Sequence, residues 1–256
     1  MTMAVTVRRE STRSLLNYQG SFQAGPQAAP AVVRKVRVDP DRVDLGPGST
    51  TADRLATQSG MQRIPTPRAE LCTTRNLLNA EECAALIDLI ESQHRPSTLA
   101  NSRGELDYRT SETCDLDGRY PAVALLEAKL TQISGIPATY GEGLQGQRYE
   151  VGQEFKAHTD YFEPDHSDYD IYCKDFGQRT WTFMIYLNDV EAGGATRFKV
   201  IDKIFQPEQG RLLAWNNRRP DGSLNPATLH HAMKVRQGMK YVITRWYRER
   251  PCRAFK

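Results

Sequence analysis

The chain has 256 residues, 39% of them hydrophobic and 25% charged, an ordinary globular composition with length enough for one sizeable core and a tail. A net charge of +3 with no run of like charges gives no electrostatic reason to expect a nucleic-acid partner. No apolar stretch is long enough to span a bilayer, and five cysteines without C-x-x-C spacing support neither a disulfide framework nor a zinc knuckle. A reducing, cytoplasmic setting is the default that follows. Met1 to Leu16 carries arginines without the apolar core of a secretory signal, which leaves an organelle transit peptide as the alternative.

Residues 1 to 65, rich in Gln, Ala, Pro, Gly, Ser, Thr and Arg, are expected to form a largely irregular tail with one candidate edge strand, Val33 to Val38. A single domain is expected over 66–256. Asn79 followed by Glu82 is a capping pair, and Cys83, Leu86, Ile87 and Ile90 recur at helical spacing, so a helix is predicted to about Gln93. A second is predicted from Pro121, where Val123, Leu126, Leu130 and Ile133 share a stripe and Gly135 supplies the stop. These helices, over about 79–135, precede a strand-rich part over about 142–250 and would brace one face of a sheet.

From residue 144 the pattern changes to short alternating runs punctuated by Gly, Asn, Asp and Pro. Along Thr180 to Leu187, alternation puts Trp181, Phe183, Ile185 and Leu187 on a core face and Thr180, Thr182, Met184 and Tyr186 on a face suited to line a site. Arg211 to Trp215 and Lys240 to Tyr247 read as further strands, with a turn over Glu191 to Ala195. The predicted fold class is α+β, mainly β: a sandwich or jelly roll braced by N-terminal helices, with room for a ligand between its sheets.

His158 and Asp160, two apart on an extended strand, point to the same face and can reach one metal. With His230 they offer two imidazoles and one carboxylate on one face of an octahedron, leaving three positions open. That suits iron(II) holding a cosubstrate and dioxygen together, and a closed zinc site would leave no such room. Lys240 shares a strand face with Val242, Thr244 and Trp246, so it points inward. A buried ammonium needs an anionic partner.

These residues fall within Arg109-Thr-Ser, Gln147-Arg-Tyr-Glu-Val-Gly, His158-Thr-Asp-Tyr-Phe, Gly177-Gln-Arg-Thr, Tyr186-Leu-Asn, Gly193-Gly-Ala-Thr, Asp221-Gly-Ser, Leu229-His and Gly238-Met-Lys-Tyr. With these motifs, from about Leu71 to Arg250, the chain resembles the prolyl 4-hydroxylase family of iron(II)- and 2-oxoglutarate-dependent dioxygenases. The resemblance implies a double-stranded β-helix of the jelly-roll, cupin-like kind. It implies His158, Asp160 and His230 as the catalytic iron ligands, and Lys240 as the anchor for the distal carboxylate of 2-oxoglutarate, with Tyr149 and Thr196 as companions. Arg179 and Trp246 match positions lining the family's peptide groove, and Tyr186 faces the same cavity by alternation. His231 is the rival for the third metal position, and the family's interval from histidine to lysine selects His230. The implied cofactors are Fe(II), with 2-oxoglutarate and O2 as cosubstrates and ascorbate as reductant. The implied reaction is hydroxylation of an unactivated C–H bond on a prolyl residue of a peptide or protein.

Three positions depart from the family. Phe155 stands where members acting on collagen-like peptides often carry a substrate-contacting tyrosine, and Ala157 and Lys234 stand where proline is common. These changes leave the metal chemistry alone and weaken the substrate assignment. Two other catalytic readings share the triad: hydroxylation of a free amino acid or other small molecule, and nucleic-acid demethylation, against which the near-neutral charge argues. A halogenase would normally lack the carboxylate of Asp160. A non-catalytic jelly-roll binding module would need neither the inward Lys240 nor the full triad.

Blander roles compete residue by residue. His94 and His166 read as surface or structural groups, and Trp181 and Phe183 as core. Arg109 is either a site residue or a partner for a surface carboxylate. The acidic, aromatic segment from Glu163 to Phe176 is either a lid over the substrate or a solvated loop.

Overall fold

The computed structural model describes residues 50–97, 109–165 and 169–252. In chain order the elements are α1 (Thr51–Ala56), β1 (Gln62–Arg63), β2 (Leu71–Thr74), α2 (Ala80–Gln93), β3 (Arg95–Pro96), β4 (Glu112–Leu116), α3 (Pro121–Ser134), β5 (Leu144–Tyr149), β6 (Phe155–His158) and α4 (Tyr169–Cys173). They continue with β7 (Arg179–Tyr186), β8 (Ala192–Gly193), β9 (Thr196–Phe198), β10 (Lys203–Phe205), β11 (Leu212–Asn216), β12 (His230–Ala232), β13 (Val235–Gln237) and β14 (Lys240–Arg248).

The large sheet runs β1-β2-β11-β7-β14-β5-β4-β3, the smaller one β10-β9-β12-β6, and β13 pairs β8. The pairings at the heart of the molecule, β14 with β7 and β5 and β12 with β6 and β9, are antiparallel. The two main sheets make a double-stranded β-helix, and residues from both line a cavity between them.

Alternation along β7 divides the core in two. Trp181, Phe183 and Ile185 join one apolar cluster with Leu86 and Ile90 of α2 and Leu126 and Leu130 of α3. Met184 and Tyr186 join the other, with Phe198, Trp215 and Val242. The same alternation in β14 sends Ile243 and Tyr247 to the helix side and Lys240, Val242, Thr244 and Trp246 to the cavity.

The helices end where their sequences dictate. Asn79 Oδ1 accepts from the Glu82 backbone at 2.8 Å and Glu82 Oε2 accepts from the Asn79 backbone at 2.9 Å, closing a capping box worth about 1 kcal/mol. Pro121 opens α3, and Gly135 closes it at φ 72°, a left-handed conformation that glycine adopts without steric cost. Lys129 of α3 donates to both Glu82 carboxylate oxygens, at 2.7 and 2.6 Å, and ties the two helices together.

Among the described residues, regular elements already lie before residue 66. Thr50 and Asp53 form a capping box for α1, Leu55 is fully buried in the helix-side core, and Gln62 of β1 pairs with Thr73 of β2. A six-residue helix with two buried positions is too short to register as a periodic pattern. The candidate strand from Val33 to Val38 lies outside the described residues.

Gly146 of β5 sits under α2 so closely that an added Cβ would meet Ile90 Cγ1 at 2.5 Å, while a Cβ on Gly143 would meet nothing within 4 Å. Because Ile90 is fully buried and has no room to swing away, Gly146→Ala is expected to destabilise the fold by about 1–3 kcal/mol. Gly143→Ala should leave the thermal midpoint nearly unchanged, and equal effects of the two would show that the helix gives way freely.

Candidate active site

The metal-binding candidates come together across the smaller sheet. His158 ends β6 and His230 begins β12, and the two are direct cross-strand partners with ring centroids 4.3 Å apart. Asp160 follows β6 by two residues, its Oδ1 3.7 Å from His158 Nε2 and its Oδ2 4.0 Å from His230 Nε2. One ligand atom from each of the three lies within 4.8 Å of the others, close enough to share an ion. This is the one such cluster of three or more metal-binding side chains among the described residues.

Hydrogen bonds aim both imidazoles. His158 Nδ1 lies 2.8 Å from the Lys156 carbonyl and His230 Nδ1 2.9 Å from that of Thr228, so each donates from Nδ1 and presents Nε2 as a lone-pair donor. Burial, and then the neighbouring His230, push the His158 pKa from 6.5 down to about 3, so the ring is neutral and ready for a metal. Burial works to raise the Asp160 pKa, but His230, His158, Arg179 and the Thr182 hydroxyl together outweigh it and hold the carboxyl ionised. His231 turns the other way, its Nε2 2.8 Å from Glu154 Oε2. Strand alternation thus brings His230, and not its rival, to the cluster.

Lys240 closes the opposite end of the cavity, whose volume is about 370 Å³ counting space open to solvent. It is 1% exposed, and its Nζ has no hydrogen-bond partner. The ammonium lies 4.9 Å from the ring centroid of Tyr149, its cross-strand partner, and 5.5 Å from that of Tyr186. Burial pushes its pKa from 10.5 down to about 7. Thr196 is buried alongside, its hydroxyl accepting from Tyr186 at 2.6 Å. An unpaired buried cation, hydroxyls and an iron-type triad in one cavity fit a dicarboxylate that chelates a metal through its other end.

A third group forms the wall between Asp160 and the rim. The Arg179 guanidinium lies over Trp246 at 4.1 Å and over Phe162 at 4.8 Å, and reaches the Asp160 carbonyl at 3.4 Å. Glu142 grips it with two bonds, at 2.6 and 2.7 Å. Trp246 lines the cavity with its Nε1 buried and unpartnered. Tyr186, expected to face substrate, is fully buried at the lysine end, its hydroxyl also bonded to the Phe205 carbonyl at 3.2 Å. It therefore keeps company with Lys240 and Thr196, apart from Arg179 and Trp246.

Other residues sort as follows. Among the described residues Arg109 makes no ion pair: it donates to Ser111, Thr113 and Gln145 at 2.9 to 3.0 Å and lies 5.0 Å over Phe155, which in turn stacks on His158 at 3.6 Å. In the segment considered as a lid, α4 is fastened down by the stack of Tyr172 on Phe162 and by bonds from Arg248 and Arg250 to its carbonyls. His166 lies outside the described residues. Glu142, Thr182 and Asn217 escaped the sequence reading as site-shaping groups. Alternation marked the facing of Thr182, while a loop glutamate carries no periodic signal.

Comparison with known proteins agrees with this geometry. A family model described as the 2OG-Fe(II) oxygenase superfamily matches residues 144–248. Probable prolyl 4-hydroxylase 3 of Arabidopsis thaliana is 33% identical over 195 residues, covering 67% of this chain and 66% of that protein. Probable prolyl 4-hydroxylase 10 of Arabidopsis thaliana is 31% identical over 206 residues, covering 71% and 69%. The chain thus spans about two thirds of the length of these relatives. A solved viral collagen prolyl hydroxylase from Paramecium Bursaria Chlorella virus-1, in its 2OG complex, shares the fold with a TM-score of 0.55 at 24% identity, covering 70% of this chain and 95% of that one.

Three outcomes test the site. His230→Ala should abolish metal uptake measured by calorimetry, while His231→Ala retains it; the reverse result would reassign the third ligand. Lys240→Met should raise the thermal midpoint of the ligand-free protein and erase the stabilisation given by 2-oxoglutarate. Because the folded pKa of Lys240 is near 7 and the unfolded one near 10.5, the unfolded chain holds the extra proton between those values, and stability rises with pH across that window. The native protein should show this slope in denaturant titrations, amounting to a few kcal/mol in order of magnitude, and Lys240→Met should lack it.

Proposed function

We propose that this chain, which belongs to the prolyl 4-hydroxylase family of 2OG-Fe(II) oxygenases, hydroxylates an unactivated C–H bond on a prolyl residue of a peptide or protein. The observation that carries the reading is Lys240: an unpartnered, fully enclosed ammonium sharing one cavity with two histidines and an aspartate. A metal-binding module alone would have no use for that cation. The names of the relatives support the substrate class, as they are prolyl 4-hydroxylases, and a viral relative in fold acts on collagen.

In this reading His158, Asp160 and His230 hold Fe(II). Lys240 takes the distal carboxylate of 2-oxoglutarate, with the hydroxyls of Tyr149 and Thr196 completing its contacts. When bound, the iron, 2-oxoglutarate and dioxygen supply an oxidant that replaces hydrogen by hydroxyl on carbon and release succinate and carbon dioxide. The protein's own work is positional. Both imidazoles are fixed by backbone carbonyls, Asp160 is kept ionised, and the aromatic walls of Phe198 and Trp215, packed against His230 at 5.5 and 4.9 Å, exclude water. Arg179 and Trp246 line the entrance and orient the substrate, Arg179 held flat by Glu142 and stacked on the indole. Phe155 offers an apolar face in place of a tyrosine hydroxyl, so the preferred sequence context differs from a collagen repeat. Ascorbate as reductant belongs to the same proposal.

Incubation with Fe(II), 2-oxoglutarate and a proline-containing peptide library, with free proline as a separate arm, should give peptides heavier by one oxygen atom and matching succinate. Oxidation of free proline alone would move the substrate class to small molecules. Arg179→Ala and Trp246→Ala should impair peptide oxidation more than the slow decarboxylation of 2-oxoglutarate without substrate. A parallel fall in both would assign these side chains to the cosubstrate or the fold.

A further inference from the structure

Asp160 is held from behind by a chain of hydrogen bonds. Thr182 Oγ1 donates to Asp160 Oδ2 at 2.7 Å, and Asn217 Nδ2 donates to Thr182 Oγ1 at 2.9 Å. All three side chains are buried, Thr182 and Asn217 completely. The order of donors is forced: a carboxylate only accepts, so the threonine hydroxyl spends its proton on Asp160 and must accept from the asparagine amide. Asn217 Oδ1 is thereby left buried without a donor. Rotating the amide would offer Thr182 a second acceptor and draw its proton from Asp160.

The backbone enforces the arrangement. Thr182 lies on the cavity face of β7, and Asn217, just past β11, is tied to the neighbouring strand by its N–H on the Thr180 carbonyl at 2.7 Å. Asn225 donates its N–H to the Asn217 carbonyl at 2.9 Å and fixes the other side. The relay therefore rests on the large sheet, whereas both histidines belong to the smaller one.

Resting on the proposed iron and 2-oxoglutarate chemistry, we propose that Thr182 and Asn217 are positioning residues that commit Asp160 Oδ2 to the threonine hydroxyl, confine metal ligation to Oδ1, and so keep one metal position free for the 2-oxo acid. A carboxylate released from this hold is free to turn both oxygens onto the metal and compete with the cosubstrate for that position.

The test uses full-length protein under anaerobic conditions, with Fe(II) binding measured by calorimetry and 2-oxoglutarate binding to the iron-loaded protein followed by its visible charge-transfer absorption. Thr182→Val, which keeps the shape and removes the hydroxyl, should weaken 2-oxoglutarate binding roughly 10-fold or more and shift the absorption, while Fe(II) affinity changes less than about threefold. Asn217→Asp should act in the same direction, because the new carboxylate claims the threonine proton. Thr182→Ser should restore native values. Unchanged 2-oxoglutarate affinity and absorption in Thr182→Val and Asn217→Asp would overturn the relay. So would a parallel loss of iron binding, cosubstrate binding and thermal midpoint that Thr182→Ser fails to rescue. Native protein binding neither iron nor 2-oxoglutarate would overturn the functional reading beneath it, and is distinguishable because it precedes any substitution.

Discussion

The two-residue alternation of β7 and β14, kept in register from Thr182 to Tyr186 and from Val242 to Trp246 and shifted only beyond Trp246, is the constraint on which the remaining structure depends. These adjacent strands sit in the middle of the large sheet, where every side chain must go either to the helices or to the cavity. Phe183, Ile185 and Ile243 go one way and build the main core; Thr182, Met184, Lys240 and Trp246 go the other. A slip of one residue would place an ammonium among Leu86, Leu126 and Leu130 and send isoleucines toward the metal ligands. The fold and the site are therefore specified by the same register, and substitutions that loosen β7 against β14 would damage both at once.

Much of this was legible in the sequence because period-two patterning is a local property. The inward facing of Lys240 and Trp246, and of Thr182 and Tyr186, could be read by counting along one strand. So could the capping pair at Asn79 and Glu82 and the glycine stop at Gly135. The pairing of His158 with His230 is a long-range fact, and spacing within a family pattern pointed to it where periodicity alone could not. What the sequence did not disclose depends on depth along a strand and on loops. Alternation gave the facing of Tyr186 but not its place beside Lys240, since it gives the side of a sheet and not the position along it. Glu142, which anchors Arg179, lies in a connection with no repeat to betray it. The short helix α1 left no periodic signal because it buries only Ala52 and Leu55.

Electrostatics divides the cavity into poles with different logic. At the triad, the protein itself fixes the protonation states: a carboxylate is held ionised beside a neutral His158 by its surroundings. At the lysine, balance is deferred until a ligand arrives, and in the meantime burial without a counter-ion lowers the pKa to about 7, so the amine holds its proton weakly. The aromatic rings of Tyr149 and Tyr186 soften that cost through their π faces without offering a counter-ion. The ligand that suits both poles must be anionic at its far end and metal-binding at its near end, and the spacing between the sheets sets its length.

The grip of Glu142 on Arg179 has a consequence for how this entrance meets its substrate. A guanidinium already doubly bonded to a carboxylate, with Arg248 sharing the same acid at 3.2 Å, has few N–H groups left to donate, although the two guanidiniums outnumber the one acid. What it offers is a flat, polarised plate stacked between Phe162 and Trp246. Long-range attraction decays with the Debye length, whereas stacking and short hydrogen bonds do not. Association at this wall thus draws on contour and directional bonding together with the one positive charge that two guanidiniums leave over a single carboxylate.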